Sequence, residues 1–351
     1  MKFFFKNITK IFFTNFLILF SFIVLVELIF GYWFDKYNFG PYMREHRMKN
    51  QPTLFNYEGK TYSYNYKRNY YGFRGEDVNP ENINAVIVGS SAIDERYKPD
   101  QFTITGYINK NLKNDKYDLI VWNAGIEAQS TVGIIYNFKN WFSRLENFTP
   151  KLILFYIGVN DTMLPEDVMS IKIDGDGHVK NPEKIQVILD NIKSRSFVYD
   201  SLRIFKFKFL PRKNFVKYDG NTDDKLKNNF KHIDYSTAIE LYNIDELYGK
   251  YRKKIDNYLA RVDKLYNDSA KINSTPVFIT SITAEGHREL IFMLNYSLMS
   301  HCKLKKYYCI DVAKQLNGEL SFWKDRTHTS PNGSKAIAKL IYKDLIKFIK
   351  K

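Results

Sequence analysis

The feature that most constrains the fold of this 351-residue chain is a series of short apolar runs, separated by longer stretches, that begins after residue 82. Short apolar runs bounded by turn residues are typical of strands buried on both faces of a parallel sheet. Since helical stretches separate the runs, we expect a parallel sheet with helices on both faces. The predicted strands are residues 85–88, 118–122, 152–157, 277–282 and 307–312.

Helical patterns fill the intervals between these strands, notably over residues 239–266. The closing stretch, 331–349, has apolar residues at the spacing of one helix face. These residues are Ala336, Ile337, Leu340, Ile341, Leu345 and Ile349. In open parallel sheets a site lies beyond the carboxyl ends of the strands, so the residues that follow each run are the first candidates for chemistry.

The N-terminal part of the chain has a different character. Residues 11–34 are dominated by Phe, Leu, Ile and Val, and this run exceeds the roughly 20 residues that a membrane-spanning helix needs. Lys2, Lys6 and Lys10 precede the run, and no small-residue cleavage site follows it. These features predict an uncleaved signal anchor that spans the membrane once, with the large C-terminal part outside the cytoplasm.

The end of the apolar run contains Glu27, and a carboxylate inside a membrane span is costly. Tyr32 and Trp33 follow it and are typical of the membrane–water interface. We therefore expect Glu27 either to reach the interface or to contact a partner helix. Residues 35–80 then form a polar connector rich in Tyr and Asn, which we expect to lie against the main domain.

The balance of charge is basic, with 53 Lys and Arg against 38 Asp and Glu. A net charge of +15 suits an anionic partner, but abundant Lys, Asn, Ile, Phe and Tyr are also what AT-rich coding produces. The sequence has no zinc-ligand spacing, arginine-rich tract or RNA-binding aromatic motif, so we predict no nucleic-acid partner.

The chain has two cysteines, Cys302 and Cys309. Two such residues do not make a metal site, which needs more ligands at closer spacing. They would pair in an oxidising compartment and remain free thiols in a reducing one, and both alternatives stay open.

Polar residues follow three of the predicted strands. Gly89-Ser90-Ser91 comes after the first strand, where a serine at a strand-to-helix turn exposes its hydroxyl above the sheet. Asn123-Ala124-Gly125 follows the second strand, and Gly158-Val159-Asn160-Asp161 follows the third. Each stretch taken alone is equally explained by helix capping or turn chemistry.

A fourth candidate stretch, Asp325-Arg326-Thr327-His328, precedes the last predicted helix. A carboxylate three residues before a histidine can contact its ring, fix its tautomer and stabilise the imidazolium. The chain has six histidines, and only His328 combines a nearby upstream carboxylate with a loop before a terminal helix.

These four stretches, in this order, resemble the four sequence blocks of the SGNH, or GDSL-like, hydrolase superfamily. The resemblance spans residues 82–351 and implies a flavodoxin-like three-layer α/β sandwich with a five-stranded parallel sheet. Two features depart from the family pattern. Ser90 stands where the family often has Asp, and the interval of about 115 residues between Asp161 and Pro276 is long. We interpret residues 163–275 as an insertion that forms a cap or binds substrate.

By this resemblance Ser91 is the nucleophile, His328 the general base and acid, and Asp325 the residue that orients His328. The resemblance also implies an oxyanion hole formed by the backbone N–H groups of Ser91 and Gly125 and the side chain of Asn160, with no metal or organic cofactor. It divides the chain into an anchor (1–34), a connector (35–80) and a hydrolase-like domain (81–351).

Three functions are compatible with this interpretation. The first is an esterase that removes acyl groups, foremost acetyl, from carbohydrates of the cell envelope or the extracellular space. The second is an acyltransferase that passes the same acyl group to a sugar hydroxyl. The third is a catalytically silent scaffold or glycan-binding protein, against which the complete set of Ser91, Asp325 and His328 argues.

Overall fold

The computed structural model describes residues 2–39, 51–166, 184–209 and 222–350. Residues 40–50 of the predicted connector, and residues 167–183 and 210–221 of the predicted insertion, lie outside these ranges. The strands are β1 (Gln51–Tyr57), β2 (Lys60–Tyr66), β3 (Ala85–Gly89), β4 (Val121–Asn123), β5 (Leu152–Ile157), β6 (Thr275–Thr280) and β7 (Tyr308–Ile310). The helices are α1 (Lys2–Phe30), α2 (Ser91–Asp94), α3 (Ile104–Asn114), α4 (Thr131–Asn140), α5 (Lys184–Arg195), α6 (Phe197–Phe209), α7 (Asp224–Asn229), α8 (Tyr235–Leu241), α9 (Ile244–Lys271), α10 (Glu289–Lys305), α11 (Val312–Gln315) and α12 (Pro331–Ile349).

Strands β3 to β7 form one parallel sheet in the order β4-β3-β5-β6-β7. This confirms the predicted α/β fold with a five-stranded parallel sheet. The predicted ends of three strands are wrong by two or three residues, since β7 also ends at Ile310 and not at residue 312. β4 starts at Val121, and Ile120 before it is exposed to solvent. β6 ends at Thr280 because the hydroxyl of Ser281 donates to the carbonyl of Ile157 (2.7 Å), and the chain leaves the ladder there.

Each face of the sheet carries its own apolar core. Alternate residues of a strand point to opposite faces, so Val86 and Val88 of β3 join one core while Ala85 and Ile87 join the other. Helices α4, α9 and α10 cover the first face, and helices α3 and α12 cover the second. The sheet is therefore the middle layer of three, and the carboxyl ends of its five parallel strands lie along the same edge.

Helix α9 is the crossover between β5 and β6, and it lies inside the segment that the sequence marks as an insertion. Its residues Ile255, Tyr258 and Val262 are fully buried in the first core. The helix starts at Ile244, later than the predicted 239–266, because Asn243 caps it. The side chain of Asn243 accepts hydrogen bonds from the backbone N–H groups of Asp245 and Glu246. This part of the segment therefore contributes a helix to the first core.

The N-terminal connector packs into the domain. Strands β1 and β2 pair as an antiparallel hairpin, and the chain that follows buries two arginines beneath α2. Arg68 Nη2 lies 2.8 Å from Asp94 Oδ1 and also donates to the carbonyl of Gly125. Arg74 donates to the carbonyl of Lys98 at 2.6 Å and to that of Asp94. The connector thus supplies charges to the interior of the domain.

Helix α1 contains a segment, Lys10–Phe30, with a mean hydropathy of 2.4 that is long and apolar enough to cross a membrane. None of this segment is buried in the protein. The helix ends at Phe30, before the predicted limit at residue 34, and the backbone bends over residues 31–34.

The two cysteines are joined as a disulfide, with their Cα atoms 6.3 Å apart. The bond connects Cys302 in the last turn of α10 to Cys309 in β7. Of the two alternatives that the sequence left open, a disulfide and two free thiols, the structure has the disulfide.

The buried Arg68–Asp94 pair gives a first prediction. Replacing Arg68 with Met leaves the carboxylate of Asp94 buried without its main partner, so we expect R68M to lower the free energy of unfolding by about 3–5 kcal/mol. The matched control is K67M, because Lys67 pairs with Glu76 on the surface and such pairs contribute about 1 kcal/mol or less. Urea unfolding of both variants checks this. If R68M and K67M lose the same free energy of unfolding, the buried Arg68–Asp94 pair contributes no more than the surface pair.

Candidate active site

Ser91 sits where β3 ends and α2 begins. Ser90 caps the helix, its hydroxyl accepting from the N–H of Ala92 at 3.3 Å, and Ser91 is the first helical residue. The turn requires glycine at position 89, because a Cβ there would lie 2.7 Å from Cγ1 of Ile93. As the first residue of a helix, Ser91 has a backbone N–H with no acceptor in the helical ladder. Its hydroxyl and its N–H are therefore both available at the strand end.

The structure brings His328 and Asp325 to this serine. His328 Nε2 lies 3.0 Å from Ser91 Oγ, although 237 positions separate the two residues. The other ring nitrogen, Nδ1, lies 2.8 Å from Asp325 Oδ2. The three side chains form one continuous hydrogen-bonded chain, which is the geometry that proton transfer from a serine needs.

The loop that carries His328 is closed by its own backbone. The N–H of Lys324 donates to the carbonyl of His328 at 2.8 Å, and Trp323 and Thr329 form an antiparallel bridge. Asp325 also accepts the backbone N–H groups of Thr327 and His328, each at 2.9 Å. This local folding fixes the carboxylate before the ring contacts it.

Burial acts to raise the pKa of Asp325, but hydrogen bonds and the charge of His328 outweigh it. The ring of His328 and the backbone N–H groups of Thr327 and His328 hold the pKa of Asp325 well below its usual range. Asp325 is therefore ionised at neutral pH and can stabilise an imidazolium on His328.

The predicted oxyanion donors differ in how they are held. The backbone N–H of Gly125 donates to Oδ1 of Asn123 at 2.9 Å, so an oxyanion would share or replace that acceptor. A Cβ on residue 125 would lie 2.4 Å from the backbone nitrogen of Asp94, so only glycine lets this loop approach α2. The loop is thus placed against the serine helix, with its N–H already engaged.

Asn160 lies in a 3₁₀ turn, Val159–Met163, directly after β5. Gly158 starts the turn with φ of 124°, a conformation that favours glycine. The next residue, Asp161, is buried and accepts from the hydroxyl of Thr131 (2.5 Å) and from Arg261 Nη2 (3.3 Å). Arg261 belongs to α9, so the crossover helix fixes the turn that carries Asn160.

No sequence motif predicts a role for Tyr97, yet this residue contacts the histidine directly. Its ring meets the His328 ring edge to face with centroids 5.4 Å apart, and its hydroxyl donates to the carbonyl of Thr329 at 3.1 Å. The ammonium of Lys324 lies over the Tyr97 ring, 4.3 Å from its centroid. These contacts restrict the orientation of the imidazole.

A buried ion pair that no sequence motif predicts joins Glu95 and Lys98, whose charged atoms are 2.6 Å apart. Both side chains are fully buried. Lys98 Nζ donates to the carbonyls of Thr329 (3.1 Å) and Ser330 (3.3 Å), and Glu95 accepts from the hydroxyl of Ser334 (2.6 Å). Burial lowers the pKa of Lys98 to about 8, although Glu95 opposes the shift. The pair links the end of α2 to the loop of His328.

No signal in the sequence identifies these two charges as buried. The stretch from Asp94 to Lys98 is polar and resembles an exposed loop. Its interior position depends on contacts with residues more than 230 positions away. Among the residues that the structure describes, no three His, Cys, Asp or Glu side chains form a group able to hold a metal ion.

No protein-family model and no curated protein sequence matches the chain. Similar solved structures include a variant of Axe2, an acetylxylan esterase from Geobacillus stearothermophilus (11% identity, 75% of this chain and 94% of that chain, TM-score 0.42). Another is a lipolytic protein of the G-D-S-L family from Desulfitobacterium hafniense (10% identity, 74% of this chain and 99% of that chain, TM-score 0.41). A third is the esterase EstA from Pseudoalteromonas sp. (12% identity, 76% of this chain and 100% of that chain, TM-score 0.42). At these identities, residue roles are inferred from this chain's own geometry.

The lowered pKa of Asp325 gives a second prediction. A carboxyl group whose pKa is lower in the folded than in the unfolded chain stabilises the fold above its unfolded pKa of about 3.9, and this contribution disappears as the pH falls through the folded value. We therefore expect D325N to be less stable than the wild type at pH 7, with the difference shrinking below about pH 4. Urea unfolding at pH 7, 5 and 3 measures it.

The control for this series is D224N, because the side chain of Asp224 is 88% exposed. Its difference from the wild type should stay small and nearly constant across the same pH range. A D325N deficit that does not change with pH would contradict an ionised, hydrogen-bonded Asp325 as its source.

Proposed function

We propose that this protein is a membrane-anchored serine esterase that removes acyl groups, foremost acetyl, from carbohydrates of the cell envelope or the extracellular space. The observation that carries the proposal is the 3.0 Å contact between Ser91 Oγ and His328 Nε2, with Asp325 on the opposite ring nitrogen. A serine, a base in hydrogen-bond reach and an ionised group behind the base form the arrangement of nucleophilic acyl transfer.

In the proposed reaction Ser91 Oγ attacks the ester carbonyl carbon while His328 Nε2 takes the hydroxyl proton. Asp325 stabilises the resulting imidazolium. When the tetrahedral intermediate collapses, the bond to the sugar oxygen breaks and His328 protonates that oxygen. Water then attacks the acyl-serine while His328 takes a proton from it, and a second tetrahedral intermediate forms. When this intermediate collapses, the bond to Ser91 Oγ breaks, His328 returns the proton to that oxygen, and the free acid leaves.

Negative charge develops on the carbonyl oxygen in both steps. We assign the backbone N–H of Ser91 and the side chain of Asn160 to its stabilisation, since both stand at strand ends on the same edge of the sheet. The backbone N–H of Gly125 is the third donor. To act, it gives up its hydrogen bond to the side chain of Asn123 and donates to the oxyanion instead. A donor of this kind commonly contributes about 3 kcal/mol to the transition state.

Water as the final acceptor is supported by the exposure of the proposed site. The side chains of His328 and Asp325 are 27% and 31% exposed, so the proposed base is open to solvent. A transferase with the same serine would need to exclude this water to protect the acyl-enzyme. We therefore prefer hydrolysis to transfer.

We also propose that the domain lies outside the cytoplasm, because the Cys302–Cys309 disulfide persists in oxidising compartments. A cysteine introduced at Leu304, which is 77% exposed, should then react with a membrane-impermeant thiol reagent in intact cells. Labelling that appears only after lysis would place the domain on the cytoplasmic side.

The catalytic proposal predicts that S91A loses hydrolysis of a chromogenic acetyl ester by about 1,000-fold or more in kcat. N160A should lose roughly 100-fold in kcat, because it removes one oxyanion donor and leaves the nucleophile in place. The matched control is S90A, which loses a helix cap but keeps Ser91 and should retain most of the activity. Wild-type rates in S91A would contradict the proposed nucleophile.

The acceptor is tested by giving the wild-type protein an activated acetyl ester with and without an oligosaccharide. Hydrolysis predicts free acetate in equal amounts under both conditions. Acetylated oligosaccharide that forms at the expense of acetate would instead identify a transferase.

A further inference from the structure

Helix α5 has its apolar stripe on the outside. Ile185, Ile188, Leu189 and Ile192 follow the spacing of one helix face and are 68%, 59%, 43% and 46% exposed. In a helix that packs on a water-soluble core, this stripe faces inward. Here it faces away from the protein.

The polar side of α5 packs toward the protein. Ser194 is buried, and its carbonyl accepts a hydrogen bond from the side chain of Asn38 at 3.2 Å. Asp190 and Lys193 pair at 3.4 Å with both side chains about two-thirds buried. Helix α6 continues the outward pattern, with Leu202 exposed. The inversion therefore extends over a two-helix unit, α5–α6.

This unit is attached to the end of α1. The carboxylate of Glu27 accepts the hydroxyl of Ser196 (2.6 Å) and the backbone N–H groups of Phe197 (3.1 Å) and Val198 (3.0 Å), so it caps α6. The N–H of Tyr32 donates to the carbonyl of Arg195 at 2.8 Å. Glu27 thus contacts a partner helix, which is one of the two alternatives that the sequence predicts for it.

The same end of α1 is fixed to the main domain. Tyr37 and Phe39 are buried in the first core, and the carbonyl of Lys36 accepts from Arg144 at 2.6 Å. The end of the apolar helix, the α5–α6 unit and the domain are therefore connected by packed contacts and not by a free tether.

We propose that α5–α6 lies in the headgroup region of the same bilayer that α1 crosses, with the stripe of α5 against the acyl chains. The proposal rests on α1 being a membrane span, which is part of the proposed function. Two observations favour lipid over a protein as the occupant. The helix that carries the stripe ends beside the point where the apolar span stops, because the carbonyl of its last residue, Arg195, accepts the N–H of Tyr32. Residues 184–209 also contain six Lys and Arg against two Asp, which suits anionic headgroups.

This placement adds a second attachment to the membrane and sets the orientation of the hydrolase domain. A single span fixed to the domain would still let the whole molecule tilt and rotate about the axis of α1. With α5–α6 in the interface, the domain stays against the bilayer, and its substrates are esters that lie near the membrane surface.

The test uses single cysteines in the full-length protein, since both native cysteines are paired. I188C carries the fluorophore NBD on the stripe, L19C carries it inside α1, and L304C carries it on an exposed apolar position of α10. Each labelled protein is placed in nanodiscs of phosphatidylcholine and phosphatidylglycerol, with nitroxide-labelled lipid or aqueous iodide as quencher. Far-UV circular dichroism verifies folding, and I185C is a second stripe position.

We expect nitroxide lipid to quench NBD at positions 19 and 188 by about half or more, with shallow nitroxides more effective than deep ones at position 188. NBD at position 304 should respond to iodide alone. A position 188 that behaves like position 304 overturns the proposal, and so does a position 188 shielded from both quenchers, which would indicate a protein partner. If nitroxide lipid does not quench NBD at position 19, α1 does not cross the bilayer, and the premise of the proposal is wrong. Acetyl ester hydrolysis by the same samples reports on the catalytic proposal separately.

Discussion

The placement of the candidate active site depends on buried charge pairs beneath Ser91. Helix α2 has four residues and cannot hold its own geometry, since so short a helix lacks a stable hydrogen-bonded ladder. Asp94 at its end is fixed by Arg68 of the N-terminal connector, and Glu95 beyond it is fixed by Lys98. Through these pairs the serine turn is joined to both the N-terminal connector and the C-terminal loop of His328.

Such pairs are costly to form because each charge leaves water, and their net gain in stability over apolar residues is often small. What they supply here is a specific arrangement, because a buried carboxylate tolerates few alternative partners. The Asp161–Arg261 pair does the same for the turn that carries Asn160, using the crossover helix α9. Three elements distant in sequence are thus brought to one edge of the sheet by charge pairing and not by apolar packing alone.

A carboxylate also fixes the N-terminal helix α1 to the rest of the molecule. Glu27 would be unfavourable in a lone span, but as the cap of α6 it satisfies backbone N–H groups that would otherwise lack partners. The contact gives α1 a defined attachment to the domain. In the proposed membrane arrangement, this attachment restrains where the candidate site can face, which a flexible connector would leave undetermined.

The sequence by itself determined the alternation of strands and helices, the polar residues at the strand ends, and the short spacing between Asp325 and His328. These are local properties, because hydrophobic periodicity and turn chemistry depend on neighbours in the chain. Only the tertiary structure decided that Glu95 and Lys98 are buried, that Asn123 engages the N–H of Gly125, and that α5 turns its apolar stripe outward. Each of these follows from contacts between distant segments, and a charged or amphipathic stretch has the same sequence pattern whichever side faces the protein.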